Sequence, residues 1–176
     1  MKSKRLLKMV RPFELMATKK LLLVNPTIAP FRKEPEKTLI SVFDYNSAEV
    51  KYEEIRAIQE CYKFLDTRNV SWINFDGLKK TDVENICNHF GIHPLIQEDI
   101  LSSGQRPKMD DLNQLLFCLL NMLYFNEETS AVESEQISIV LGKNFVLCFQ
   151  EDATRDVFNS IREKIKVAGS KLRLSG

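Results

Sequence analysis

The chain has 176 residues, 44% of them hydrophobic and 28% charged, with a net charge of +1. This is the make-up of one ordinary globular domain with a real core, and it is too short for two comfortable ones. Near-neutrality gives no support to a nucleic-acid partner, which needs a basic surplus, and no run reaches the roughly 18 to 20 apolar residues that a membrane-spanning helix requires.

Charge is one-sided only at the start, where Lys2, Lys4, Arg5, Lys8 and Arg11 precede the first acid, Glu14. A solvated tail is favoured here over a leader held at a membrane surface. Residues 1–37, with Pro26, Pro30 and Pro35, are expected to be poorly structured, and Leu21 to Val24 is the one short candidate strand. That apolar stretch is too short for a secretory signal core and no small-residue cleavage site follows it. The domain proper is placed at 38–176.

Thr38 to Tyr45 is β-rich and turn-bounded, so a strand is expected. Ser47 is a good N-cap for a helix reaching about Leu65, with Ile55, Ile58, Tyr62 and Leu65 on its apolar face and Lys51, Glu53, Glu54 and Arg56 on its wet one. Val70 to Phe75 reads as a second strand closed by Asp76-Gly77. Thr81 and Glu84 suggest a capping box opening a helix to Phe90, with Val83, Ile86, Cys87 and Phe90 inward. Leu112 to Phe125 is ambiguous: its leucines fit an amphipathic helix slightly better than a strand. Asn126 to Val132 is an acidic loop. Glu135 to Leu141 and Asn144 to Gln150 alternate around Gly142-Lys143, an antiparallel hairpin. Asp156 to about Val167 should be an amphipathic helix, Val157, Phe158, Ile161 and Ile165 facing the sheet and Arg162, Glu163, Lys164 and Lys166 facing away. Gly169 to Gly176 reads as a frayed end. The alternation of strands and helices argues an α/β fold with a sheet of mixed direction.

Little here suggests catalysis. Cys61, Cys87, Cys118 and Cys148 are far apart and among apolar neighbours, so buried reduced thiols are expected. His89 and His93 are the only histidines, and Gly91 and Pro94 argue against one continuous helix carrying both as metal ligands. Phosphate-binding glycine loops and nucleophile elbows are missing from the sequence. Glu133 and Glu135 alternate on a strand start, where solvated carboxylates are commoner than a hydrolytic pair.

The densest stretch runs from Phe90 to Pro107, FGIHPLIQEDILSSGQRP. Gly91 suits the C-terminal cap of one helix and Pro94 the first turn of the next, expected from about Pro94 to Leu101. Leu95, Ile96 and Ile100 are expected inward, and Glu98 and Asp99 side by side toward solvent or a neighbour. Adjacent carboxylates repel, and a hard divalent cation with oxygen ligands relieves that repulsion.

SWINFDGL at Ser71 to Leu78, GIHPLIQEDIL at Gly91 to Leu101, QRPK at Gln105 to Lys108 and ESEQISIVLGKNFVLCFQE at Glu133 to Glu151 resemble, in order and spacing, the cytoplasmic domain of the CorA magnesium and cobalt transporters. The resemblance is specific over residues 70–165 and weak before that. It implies an α/β/α sandwich with a mixed parallel and antiparallel sheet, and a long strand for Leu112 to Phe125. It implies a regulatory divalent-cation site, Mg²⁺ or Co²⁺, with Asp99 as primary ligand and Glu98 secondary or outer-shell, completed by an acid from the adjacent subunit of a homopentamer. Filled sites would favour a closed pore. The implied setting is the cytoplasmic face of the cell membrane, as part of a multi-pass protein and without enzymatic activity. The family's Gly-Met-Asn signature, stalk helix and membrane spans are not in these residues, so the chain is expected to be a piece ending before them. A zinc-transporting relative and a free-standing soluble α/β binding protein are the alternatives.

Overall fold

The computed structural model describes residues 34–112, 114–128 and 130–175; the expected strand at Leu21 to Val24 and most of the basic tail lie outside them. The elements are β1 (Leu39–Tyr45), β2 (Val50–Ile55), β3 (Val70–Asp76), α1 (Lys80–His89), α2 (Pro94–Leu101), β4 (Lys108–Leu112), β5 (Leu115–Asn126), β6 (Ala131–Leu141), β7 (Phe145–Gln150), α3 (Asn159–Lys166) and α4 (Lys171–Ser175). Short 3₁₀ helices occupy Ile58–Phe64 and Ala153–Arg155.

The strands form one seven-stranded sheet in the order β2-β1-β3-β7-β6-β5-β4. Every neighbouring pair is antiparallel except β3 and β7, which run parallel from Ser71 beside Phe145 to Asp76 beside Gln150. The sheet is therefore mixed, as expected, and helices lie on both faces. On one face α1, α2 and the 3₁₀ segment bury Ile86, Ile96, Ile100, Cys61 and Phe64 against Val42, Ile73, Phe75, Leu147, Phe149, Phe117 and Leu119. Phe75 and Phe149 stack at 4.9 Å between centroids. On the other face Ile165 and Phe158 pack on Phe43, Tyr45, Trp72 and Cys148. Each fully buried large apolar side chain contributes roughly 1.5–3 kcal/mol, so the first layer dominates.

The helix expected from Ser47 to Leu65 is instead a strand and a 3₁₀ helix. The Asn46 side chain accepts hydrogen bonds from the Ala48 and Glu49 amides at 2.8 and 2.9 Å, an Asx turn that reverses the chain and pairs Val50–Ile55 with β1. Beyond it Ile58, Cys61 and Phe64 are the buried positions. Their spacing of three is the 3₁₀ period, close enough to 3.6 to pass for an α-helix over two turns.

The Thr81–Glu84 capping box is also absent. Lys79 is the N-cap without a side-chain bond. The Lys80 amide donates to the Glu34 carboxylate at 2.8 Å, and Glu84 pairs with Lys80 at 3.8 Å. A distant acid thus takes one of the orphan N–H groups of the first turn.

Leu112 to Phe125 is strand, with a turn at Gln114 (φ +79°) separating the unforeseen β4 from β5. The acidic loop is shorter than expected because β5 and β6 pair out to Asn126 and Ala131. In α3, Arg162 does not face away. It pairs with Asp156, both side chains largely buried, and lies 5.5 Å over the Trp72 ring. The C-terminal residues continue as α4, where buried Arg173 donates to the Asn46 and Ser47 carbonyls at 3.0 and 3.3 Å.

Candidate metal centre

Gly91, at φ +66°, ends α1 in the left-handed region and lets the Ile92 amide bond back to the Cys87 carbonyl at 2.8 Å. The chain turns at once into α2. His93 caps it, its Nδ1 accepting from the Leu95 amide at 3.2 Å, and Pro94 takes the first turn. The two histidines are thereby separated: His89 stacks on Tyr62 at 3.8 Å between centroids while His93 serves as the cap.

Ile96 and Ile100 anchor α2, with partly buried Leu101 beside them; Leu95, expected inward, is 64% exposed. Neighbours on a helix point about 100° apart, and with Ile96 and Ile100 inward Leu95 turns outward. The same geometry separates the acid pair. Glu98 is exposed, and no ion pair engages it among the described residues. Asp99 is turned toward the sheet, its carboxylate 2.5 Å from the Lys108 ammonium on β4. Lys108 also lies 3.5 Å from Asp110 and 5.8 Å from the centre of the Phe117 ring. The hydrogen bond to Asp99 holds the Lys108 pKa above its ordinary value, against the opposing effect of desolvation. Gln136 of β6 fastens the end of the helix, its Nε2 donating to the Asp99 and Ser102 carbonyls at 3.1 and 2.9 Å. Sequence reasoning missed both Lys108 and Gln136. The available signal was QRPK, where Pro107 forces an extended chain and delivers the lysine back beside the helix.

Carboxylate oxygens suit a hard divalent cation, but one chain offers only part of a site. Among the described residues no group of three or more His, Cys, Asp or Glu could hold a metal ion. Asp99 and Glu98 are the acids that α2 offers, and the Lys108 ammonium already engages the first of them.

Two other acids are withdrawn from solvent, Glu135 buried and Asp76 partly so. The Glu135 carboxylate accepts from the Glu151 and Asp152 amides at 2.8 Å each, yet burial raises its pKa. Burial likewise raises that of Asp76, whose Oδ1 accepts from Asn74 and Gln150. Asp76 borders a cleft of about 510 Å³ with Tyr52, Glu54, Asp156 and Arg162. The register puts Asp76 on the Trp72 face of the sheet, away from Asp99.

The fold defines the class: an α/β/α sandwich around a mixed seven-stranded sheet, with α2 on its surface carrying Glu98 outward and Asp99 toward the sheet. The family model described as CorA-like Mg2+ transporter protein matches residues 68–175, and the chain belongs to that family. It is 38% identical over 128 residues to the cobalt/magnesium transport protein CorA of Thermotoga maritima, a match covering 72% of this chain and 36% of the relative. The complete CorA magnesium transporter of Methanocaldococcus jannaschii has the same fold at TM-score 0.50 and 16% identity, over 74% of this chain and 38% of that one. The ZntB cytoplasmic domain from Vibrio parahaemolyticus does so at 0.53 and 14%, over 76% and 54%. The chain thus spans about a third of the length of the curated relative, and no helix among its described residues is long and apolar enough to cross a membrane.

Proposed function

We propose that this chain is the cytoplasmic cation-sensing domain of a CorA-type Mg²⁺/Co²⁺ transport channel, Asp99 and Glu98 forming one side of a regulatory site between subunits of a homopentamer. The observation that carries the reading is the state of Asp99. Its side chain is only 17% exposed and is held by a single ammonium at 2.5 Å on a flexible stem, with a second carboxylate adjacent in sequence.

A divalent cation bound there supplies two positive charges to oxygen ligands while keeping several of its waters. Asp99 acts as the primary ligand and Glu98 as an outer-shell one. Lys108 releases Asp99 and passes to Asp110, already 3.5 Å away. Left uncompensated, Glu98 and its counterparts on adjacent copies repel one another and favour separation of the domains, hence opening. Sensing needs only that the closed arrangement bind the ion better.

NMR of the chain during MgCl₂ titration tests this. Amide shifts at Glu98 to Leu101 and at Lys108 should saturate with Mg²⁺, be absent with Na⁺ at matched ionic strength, and vanish in Asp99→Asn. Identical responses to the two ions at roughly 10 mM, above the millimolar dissociation constants of weak oxygen-ligand sites, would leave Glu98 and Asp99 as a solvated helix face. The chain would then read as an α/β domain with a different binding role.

A further inference from the structure

β5 outruns its neighbour. β4 pairs with it only from Leu115 to Leu119, so from Leu120 to Phe125 no strand among the described residues lies on the outer side of β5, while β6 stays paired on the inner side. Exposed edges are ordinarily blunted by charge, proline or a bulge. This one reads LNMLYF, with neither charge nor proline. Leu123 is 69% exposed, Phe125 62%, and Val132, the register partner of Phe125, 48%. Alternation from buried Phe117 and Leu119 puts Leu123 and Phe125 on the face that carries α2. A contiguous apolar cluster beside unpaired backbone marks an interaction surface.

Acids stand beside it, with Glu98, Glu127 and Glu128 all exposed. The complementary chemistry lies in the same chain. Residues 2–11 hold Lys2, Lys4, Arg5, Lys8 and Arg11, interleaved with Leu6, Leu7, Met9 and Val10, and no acid. The described residues that follow them, 34–38, lie at the matching end of the sheet. Leu39, Asp76, Gln150, Ile137 and Leu120 follow one another across the sheet in register. Residues 34–38 and the tip of the β5–β6 hairpin therefore leave the sheet on the same side. Four strand spacings separate β1 from β5, about 19 Å, and the residues between 11 and 34 span that distance several times over when extended.

We propose that the basic segment 2–11 docks on the outer edge of β5 between Leu120 and Phe125, its cations meeting these acids and its apolar side chains covering Leu123 and Phe125. The inference does not depend on cation sensing.

Amide hydrogen exchange on the full chain at low ionic strength tests it, against the variant Lys4→Glu/Arg5→Glu/Lys8→Glu. The peptide spanning 120–126 should exchange about tenfold more slowly in the unmodified chain. That protection should vanish in the variant and in about 1 M salt, where the Debye length falls to about 3 Å. It should not change with protein concentration. Unchanged exchange of the peptide spanning 145–150 reports that the variant is folded. Equal exchange at 120–126 in the two proteins overturns the proposal; protection that grows with concentration overturns it too, assigning the edge to a second copy of the chain.

Discussion

Lys108→Met is the perturbation that separates a structural ion pair from one poised to yield to a divalent cation. The ammonium lies 2.5 Å from Asp99, with side-chain exposures of 36% for the lysine and 17% for the aspartate. A charge-assisted hydrogen bond of this kind is worth roughly 1.5–3 kcal/mol when shielded, and an exposed pair roughly 0–1. With the lysine more than a third exposed, about 1 kcal/mol is the appropriate figure. Methionine keeps the apolar stem, so the loss is chiefly electrostatic. Without Mg²⁺ the midpoint should fall by about 2–4 °C for a chain of this size. If binding at Asp99 requires breaking this pair, removing the lysine returns about 1 kcal/mol, and half-saturation by Mg²⁺ should drop about fivefold. The assay is a thermal melt across an MgCl₂ titration, with Asp99→Asn/Lys108→Met as the unresponsive control. A Lys108→Met protein that responds to Mg²⁺ no better than the unmodified chain refutes the competition. The pH dependence supplies a check. The pKa of Lys108 is raised by Asp99, so the pair's contribution is fully present below the ordinary lysine value of 10.5 and is lost only as pH rises through the higher folded value. The stability gap between the two proteins should be flat across neutral pH.

Glu135→Gln keeps an oxygen for the Glu151 and Asp152 amides but removes a buried charge. Because burial raises the Glu135 pKa, the cost of its ionisation is absent below the ordinary value of 4.5 and grows as pH rises through the folded one. Urea melts should show Glu135→Gln gaining on the unmodified chain from acidic to neutral pH, and a gap that narrows would contradict the assignment. Burial pushes Cys61, Cys87 and Cys148 up to about 12, while Cys118 is partly exposed. A thiol reagent at neutral pH should therefore label Cys118 first and reach the other three only at the rate of unfolding. Gly91→Ala meets open space and bears only the left-handed backbone cost, about 1–2 kcal/mol. Gly142→Ala directs its Cβ into the ring of buried Phe145 and adds an overpacking cost of about 1–3 kcal/mol. A Gly91→Ala protein with the urea midpoint of the unmodified chain would remove the backbone argument, and Gly91→Asn should lose less than Gly91→Ala because asparagine tolerates the left-handed region.

Strands with β-branched alternation and firm turns were legible: TLISVFDY, VSWINF and the hairpin around Gly142-Lys143 all stand where their residues put them. So does α2, because Pro94 and Gly91 act locally. Ser47 to Leu65 was not legible, since Ile55 ends a strand and Ile58 opens a 3₁₀ helix, yet their spacing of three imitates one helical face. Which strand Val50–Ile55 pairs with is decided by Asn46 and by β1, neither of which a helical window weighs. The acid pair could be found as two neighbouring carboxylates, but not their divergence. Lys108 reaches Asp99 across a turn, and Gln136 holds the same helix from 37 residues away; period-based reading sees neither distance.

The parallel contact of β3 with β7 has a consequence for how the molecule assembles. It joins two antiparallel units, β2-β1-β3 and the meander β7-β6-β5-β4, along a seam whose partners are 74 residues apart at Ser71 and Phe145. Hairpins form within microseconds, but a seam of such sequence separation waits on the closure of everything between. Both helices that shape the acid site lie inside that closed loop. A ribosome must therefore release β7 before the core beneath both helices, which includes Leu147 and Phe149, is complete. Substitutions along Ser71 to Asp76 should slow folding more than they hasten unfolding if the seam belongs to the nucleus. A nascent chain stalled before Phe145 would carry α2 over a sheet that still lacks Leu147 and Phe149.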